Sequence, residues 1–225
     1  MIAAFLLAAT VQFDHLWIVV SRDAPERVAL EKAGFRIAPA VNKHEGQGTA
    51  SITLEFQNSF LELTWPDPTV SVSPGLERGA EKFRQRMLWR TSGWCPIGIV
   101  MHRLSNDPLP FATWSISPPW MQPGTAMEML MPRDDTRSPS LSIHPPSVDQ
   151  AKFATAHPIG VKRITDIRLI SPRGYQPIEA LAYVQQQGVL KLDSGEAWAV
   201  EVTFDKGLQR KSKDFRPDLP LLIRF

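Results

Sequence analysis

The sequence predicts an α+β fold in which a β-α-β-β-β unit occurs more than once. Short runs rich in Val, Ile, Leu and aromatic residues are bounded by Gly, Pro and Asn, as is typical of strands. The first run is followed by a short helical pattern and three further strand patterns. The same order returns near the C terminus, which indicates an internal duplication.

The first predicted strand, FDHLWIVV, carries an ionisable pair inside an otherwise apolar run. Successive side chains of a strand point to opposite faces, so Phe13, His15 and Trp17 share one face. The other face holds Asp14 and then only aliphatic residues such as Leu16. We expect the aliphatic face to pack in the core and the aromatic face with His15 to line a cavity.

The next segment, SRDAPERVALEKAGF, predicts a short helix that ends at its glycine, and FRIAP predicts a strand. The glycine-rich loop KHEGQGT then leads into two strands, ASITLEF and SFLELTW. Gly46 and Gly48 permit positive φ, so their N–H groups are candidates for binding an anion or a carbonyl. His44 and Thr49 flank them as further substrate-binding candidates. A flexible loop leading into an edge strand is the alternative.

The C-terminal copy aligns with the first by its residue pattern. RITDIRLISPRG aligns with FDHLWIVVSRDA, which sets Asp166 opposite His15. AVEVTF aligns with FLELTW, which sets Glu201 opposite Glu62. The second copy is shorter, so we expect it to have lost a loop and a strand.

Between the two copies, LERGAEKFRQRMLWR predicts an amphipathic helix. CPIGIVMHRL, GTAMEMLMP and SPSLSIHPP predict three strands, and a proline-rich segment replaces the helix expected among them. The predicted organisation is therefore a first module over 13–66, a connecting helix with an eroded second module over 76–146, and a third module over 157–225.

The amino-acid composition is ordinary for a globular protein and argues against a nucleic-acid partner and an internal disulfide. The 225 residues are 43% hydrophobic and 21% charged, with a net charge of +2, which is too small to indicate a nucleic-acid partner. The basic stretch 206–216 is interpreted as a solvated loop. A single cysteine, Cys95, excludes an internal disulfide, and we expect it to be a small buried apolar residue.

The apolar N terminus, MIAAFLLAATVQF, is similar to the core of a signal peptide. It lacks a basic start, leaves little room for a cleavage site, and is too short to span a bilayer. We expect a cytoplasmic protein with no membrane partner, and export is the alternative.

Four stretches in this order, FDHLWIVV, AGFRIAP, HEGQGTA and FLELTW, resemble the glyoxalase-like domain of the vicinal oxygen chelate superfamily. The later HPIGVKRITDIRLISP is similar to a turn and strand of the same group. The resemblance implies paired β-α-β-β-β modules whose curved mixed sheets form a cup. In many relatives, residues on the first and last strands of the modules hold a divalent metal in this cup.

Carried over by position, the resemblance places metal ligands at His15, Glu62, Asp166 and Glu201. One imidazole with three carboxylates suits Mn, Mg, Fe(II) or Zn. The implied activity is that of a lyase, isomerase or dioxygenase acting on a small substrate with vicinal oxygens. Glu62 or Glu201 would act as the catalytic group that moves the proton.

Several alternatives stand beside this interpretation. If the middle module pairs with the first, Glu128 or His144 would face the cup. A second function is a metal-free protein that sequesters a hydrophobic small molecule, as the drug-resistance branch of the superfamily does. Trp17 on the His15 face favours an apolar or aromatic ligand. A homodimer is expected because three unequal modules leave one without an internal partner.

Overall fold

The computed structural model describes residues 9–132, 135–146, 153 and 155–225. Most of the predicted N-terminal apolar segment therefore lies outside the described residues.

The fold is α+β and consists mostly of strands, with a curved mixed sheet that forms a half-barrel cup, as predicted. The strands are β1 Val11–Val19, β2 Asn42–His44, β3 Thr49–Phe56, β4 Ser59–Pro66, β5 Ile97–Arg103, β6 Trp114–Ile116, β7 Met127–Met129, β8 Ser140–His144, β9 Ile164–Pro172, β10 Lys191–Gly195, β11 Ala199–Phe204, β12 Ser212–Asp214 and β13 Leu221–Arg224. The helices are α1 Arg27–Lys32, α2 Glu77–Arg86, α3 Trp89–Ser92 and α4 Glu179–Gln186.

The larger sheet has eight strands in the order β2-β3-β4-β1-β5-β8-β7-β6. β1 is parallel to β4 and antiparallel to β5, and β5 is in turn parallel to β8. Strands β1–β4 form one predicted unit and strands β5–β8 form another. The two units pair through their first strands, β1 and β5. The middle unit therefore pairs with the first, which was the alternative arrangement considered above.

The two ends of this sheet meet at the rim of the cup. Trp120, which follows β6, donates from Nε1 to Oε1 of Gln47 over 3.3 Å. Pro119 lies so close to Gly46 that a Cβ on this glycine would come within 2.5 Å of the Pro119 Cδ. These contacts join the loop after β2 to the loop after β6 and so narrow the opening of the cup.

The C-terminal strands form a separate sheet with the order β10-β9-β11-β13-β12. Here β9 is parallel to β10 and antiparallel to β11. In the first unit, by contrast, the first and last strands are parallel neighbours. The strand pairing of residues 162–205 therefore departs from the predicted repeat of residues 13–66, although both segments begin with a strand and a helix.

The convex face of the larger sheet packs on this second sheet. Leu16 and Leu61 from the first unit share one buried apolar cluster with Val202, Phe204 and Leu221. The expectation that the aliphatic face of β1 packs in the core is thus confirmed, and Leu61 of β4 is buried on the same side, under the strands of the second sheet. Apolar burial on this scale is the main source of stability in such a fold.

Three local expectations are corrected. FRIAP does not form a strand, and the edge strand β2 begins only at Asn42. A β-bulge between Phe13 and His15 breaks the alternation of β1, so Phe13 packs against the core instead of sharing the face of His15. The position of His102 beside Arg103, at the end of a predicted strand, favours a surface location, yet His102 is only 9% exposed.

The expectation of a homodimer rested on a module without an internal partner. In the structure the first two units pair with each other, and the third packs on their convex face. This packing removes the reason for expecting a homodimer. The oligomeric state and the domain boundaries stay predictions.

Candidate functional site

The concave face of the eight-stranded sheet encloses a cavity of about 400 Å³, with α2 forming one wall. Its volume lies within the range that is usual for small-molecule sites, about 300–1,000 Å³. Apolar side chains, many of them aromatic or sulfur-containing, form most of the surface of its walls, and the charged residues Arg78, Lys82, Arg86 and Asp135 line it as well. The apolar residues that line it include Trp17, Phe60, Phe83, Val100, Trp114, Ile116, Trp120, Met127, Met129 and Met131.

The Trp17 indole forms the floor of the cavity because the neighbouring strand carries a glycine. Trp17 and Gly98 are paired residues of β1 and β5. A Cβ on Gly98 would lie 1.9 Å from the indole Cε2, so only glycine leaves room for the ring in this place. Phe83 of α2 approaches the same indole, with 5.5 Å between ring centroids.

A methionine wall faces this floor from β7. Met127 and Met129 alternate along the strand, and Met131 continues the pattern beyond it. Trp114 donates from Nε1 to the Met131 carbonyl over 2.9 Å, which attaches β6 to this wall. Methionine side chains are flexible and polarisable, so the wall can adapt to ligands of different outline.

An Asp-His pair lies at the base of the cup. His15 Nδ1 is 2.6 Å from Asp14 Oδ1, and both side chains are buried. The β-bulge described above explains the pair, because it interrupts the alternation that would place adjacent side chains on opposite faces. Phe60 stacks on the imidazole at 4.1 Å and an interplanar angle of 17°.

Three histidines and one aspartate set the electrostatics of this region. Burial lowers the pKa of His144 to about 4, and positive potential from His15 and His102 adds to the lowering. Burial would raise the pKa of Asp14, but the hydrogen bond with His15 and the positive potential of His15, His144 and His102 together outweigh it, and the net pKa is below the usual value. Near neutral pH the site therefore holds an ionised Asp14 beside a neutral His144.

A second polar group occupies the wall formed by β2, β3 and β4. His44 lies 2.9 Å from Thr49 through Nδ1 and Oγ1, and 3.3 Å from Ser51 through Nε2 and Oγ. The Ser51 hydroxyl donates to Glu62 Oε1 over 3.4 Å. Glu62 is thus held by its neighbours within the cavity wall, with His44 Nε2 at 4.0 Å.

Thr64 of β4 lines the cavity and carries a buried hydroxyl. The residue is 4% exposed, and its Oγ1 has no hydrogen-bond partner within the part of the chain that is described. A buried hydroxyl without a partner costs free energy, on the order of 1–3 kcal/mol. A ligand with one polar atom near Thr64 would remove that cost.

Five predicted site residues line the cavity together. His15, Trp17 and Glu62 face it as expected, and so do His44 and Thr49. His15 and Trp17 on β1 and Glu62 on β4 therefore point into one concavity, while their roles in binding and catalysis stay predictions.

Gly46 and Gly48 do not offer their N–H groups to the cavity. Both N–H groups donate to the Ser71 carbonyl, over 3.0 and 3.1 Å. The positive φ of both residues, 85° and 68°, agrees with the expected backbone conformation. Their role is therefore to fold the loop after β2 against residues 71–73, which corrects the predicted anion-binding role.

Asp166 and Glu201 lie in the second sheet, away from the cup. Asp166 Oδ1 accepts from Lys191 Nζ over 2.6 Å. Glu201 pairs with Arg224 over 2.7 Å and lies 3.6 Å from Arg168. The sequence alignment that set them opposite His15 and Glu62 does not correspond to a shared site, because the two sheets contact through their apolar faces.

The residues of the cup do not fit a resident divalent metal. Across the described residues, no three His, Cys, Asp or Glu side chains are grouped so as to hold such an ion. At the β5 position paired with His15, the side chain is Val100, and β8 contributes Ser140, Ser142 and His144 to the cavity. Of these side chains only the His144 imidazole is a good metal ligand, and together with His15 it provides two ligands, fewer than a resident metal site needs.

The methionine wall and the roles of Trp114 and Trp120 were not predicted from the sequence. The alternation Met127, Met129, Met131 is a period-two pattern that indicates a strand with one apolar face. The roles of Trp114 and Trp120 had no such signal, because they lie in a proline-rich segment with little periodicity.

Comparison with known proteins supports the fold only. No protein-family model matches the sequence, and no curated protein matches it. The structure is similar to a hypothetical protein from Staphylococcus aureus solved by crystallography, with 10% identity and a TM-score of 0.52. The match covers 95% of this chain and 99% of that one.

A second solved structure is a xylose isomerase-like TIM barrel/4-hydroxyphenylpyruvate dioxygenase fusion protein. It matches at 10% identity and a TM-score of 0.44, over 86% of this chain and 36% of that one. A likeness at this level carries no argument about the present chain. As for membranes, the described helices are all too short or too polar to span a bilayer.

Proposed function

We propose that this chain is a glyoxalase-like protein of the vicinal oxygen chelate superfamily, and that its cup binds a small, flat, largely apolar molecule without a metal. The observation that carries the proposal is the cavity of about 400 Å³ with aromatic and methionine walls. Two strand units that pair through β1 and β5 around one cup agree with the arrangement that the resemblance implies.

The shape of the ligand is inferred from the floor. The Trp17 indole lies over Gly98, so the floor is a wide aromatic surface without a projecting Cβ from β5. Flat rings stack on such a surface with a gain of about 0.5–1.5 kcal/mol beyond the area that they bury. Saturated molecules of equal volume lack this gain.

The polarity of the ligand is inferred from the apolar floor and from the polar groups that β2, β3 and β4 contribute to the walls. Thr64 Oγ1 has no partner among the described residues, while His44 and Glu62 are held by neighbouring hydroxyls. A ligand with one hydroxyl or carbonyl oxygen would satisfy Thr64. A ligand with many charged groups would lose hydration without compensation at the Trp17 floor and the methionine wall, which carry no charged side chain.

The test uses 2-naphthol as a planar probe and cis-2-decalol as a saturated probe of similar size, measured by titration calorimetry. We expect the wild type to bind 2-naphthol more tightly than the decalol. Gly98→Ala should weaken the binding of 2-naphthol by about tenfold, because the new methyl group displaces the Trp17 indole.

Gly195→Ala is the matched control. Gly195 is a strand glycine of β10 in the second sheet, where a Cβ would also crowd a side chain (Ile170 Cγ2 at 2.6 Å), but away from the cup, so binding should be unchanged. Added Mn, Zn or Fe(II) should leave the affinity unchanged as well. Equal affinity of Gly98→Ala and wild type would contradict the proposed floor, and a metal requirement would restore the metal-dependent alternative.

A further inference from the structure

The Asp14–His15 pair has a geometry that ligand binding alone does not require. Both side chains are buried, at 5% and 7% exposure, and they are joined at 2.6 Å. Because Asp14 is ionised, its oxygens can only accept, so the hydrogen of this bond belongs to His15 Nδ1. In the neutral ring, Nε2 then holds a lone pair.

The position of the ring makes this lone pair available to a bound molecule. His15 lines the cavity, and Nε2 is the nitrogen that Asp14 does not engage. Stacking on Phe60 fixes the plane of the ring. Trp17 is two residues further along the same strand, so a molecule lying on the floor reaches the imidazole.

The surroundings favour proton transfer to this nitrogen. The walls are largely apolar, and Asp14 behind the ring would stabilise the imidazolium that forms when Nε2 takes a proton. His144 lies nearby, with 6.0 Å between ring centroids.

We propose that the cup contains a metal-independent general base, in which His15 Nε2, oriented by Asp14, removes a proton from a flat aromatic molecule bound against Trp17. The proposal rests on the binding function proposed above. His15 is the catalytic residue, and Asp14 is a positioning residue that holds the ring in its productive tautomer. The class of reaction is proton abstraction from carbon, leading to isomerisation or elimination.

The probe is 5-nitrobenzisoxazole, a flat aromatic compound that needs only a base to react. His15 Nε2 takes the proton from C3, and the electron pair of that C–H bond forms the third bond of a nitrile. The ring N–O bond breaks, and its pair stays on oxygen, giving 2-cyano-4-nitrophenolate. His15 then returns its proton to water, so no oxidant or co-reactant is needed.

We expect the wild type to convert this probe with saturation kinetics, followed by the absorbance of the phenolate. His15→Gln should lower kcat by about 100-fold or more, which is the usual contribution of a general base. Asp14→Asn should lower kcat by at least about tenfold with little change in KM, because an asparagine does not force the His15 hydrogen onto Nδ1. Asp14→Glu, which retains the carboxylate, should recover part of the loss.

His157→Gln is the matched control. His157 is a buried histidine outside the cup. It accepts a hydrogen bond from the Arg36 N–H and donates one to the Glu55 carbonyl, and a glutamine amide can make both hydrogen bonds. His15→Phe, which retains an aromatic ring against Phe60, replaces His15→Gln if the latter fails to fold. Melting curves establish which variants are folded.

Two results would overturn the proposal that His15 is a general base. One is turnover in folded His15→Gln and His15→Phe equal to that of the wild type. The other is displacement of 2-naphthol by the probe without turnover, which leaves the binding function intact. Failure of the probe and of 2-naphthol to bind would overturn both proposals.

Discussion

His144 enters the cup at the end of β8 and shows how a single buried imidazole can couple stability to pH. Its neighbours are His15, His102 and Asp14, and burial is the main reason that its pKa falls to about 4. The unfolded chain binds a proton at this residue near the ordinary pKa of 6.5, whereas the folded chain does not until about pH 4. Stability therefore falls as the pH is lowered from 6.5 to 4.

His144→Gln should reduce this acid sensitivity. A shift from 6.5 to about 4 corresponds to at most about 3 kcal/mol, which is lost between those two pH values in the wild type. Asp14 adds little in this window, because its folded pKa lies below 3.8. Urea unfolding at several pH values measures the effect, and identical pH slopes for variant and wild type would reject it.

β4 is the element that connects the core to the cup. Leu61 and Leu63 are buried on the convex side, while Phe60, Glu62 and Thr64 line the cavity. This division follows from the period of two in a strand, and the register with β1 places Leu63 beside Ile18. A one-residue slip would reverse both faces and remove the cup and the core together.

Leu63→Ala should therefore lower the free energy of unfolding by about 2–5 kcal/mol, since the side chain is fully buried. Lys213→Ala, on the exposed edge strand β12, serves as the control and should change stability by no more than about 0.5 kcal/mol. Denaturant unfolding of both variants gives the comparison. Similar values for the two would show that the faces of β4 are assigned the wrong way round.

On the scale of the whole molecule, the two sheets share one core. Phe204 of the second sheet approaches Phe56 of the first at 4.6 Å and Phe35 at 6.2 Å between ring centroids. Apolar side chains from both sheets form one continuous buried cluster. Such a shared core couples the unfolding of the C-terminal strands to that of the cup.

Phe204→Ala should lower the stability of the entire chain by about 3–5 kcal/mol while unfolding remains a single transition. Fluorescence of the tryptophans around the cup and the far-ultraviolet circular dichroism of all strands should change together. Leu208→Ala is the control, because Leu208 is 78% exposed. Two separate transitions, with only one shifted by Phe204→Ala, would show that the sheets unfold independently.

Features that depend on neighbouring residues in the chain were determined by the sequence. The strands β1, β3, β4 and β5 were predicted from apolar runs, and the faces of His15, Trp17 and Glu62 from side-chain alternation. Local geometry suffices in these cases, because each residue's direction follows from that of the residue before it.

The partners of each strand were decided only by the tertiary structure. Asp166 and Glu201 align with His15 and Glu62 in sequence, yet they lie in another sheet, because β9 pairs with β11 and not with the cup. The bulge that brings Asp14 to His15 likewise depends on the register between β1 and β5. Both features arise from contacts between segments distant in sequence, whose choice depends on how all the apolar faces are buried together.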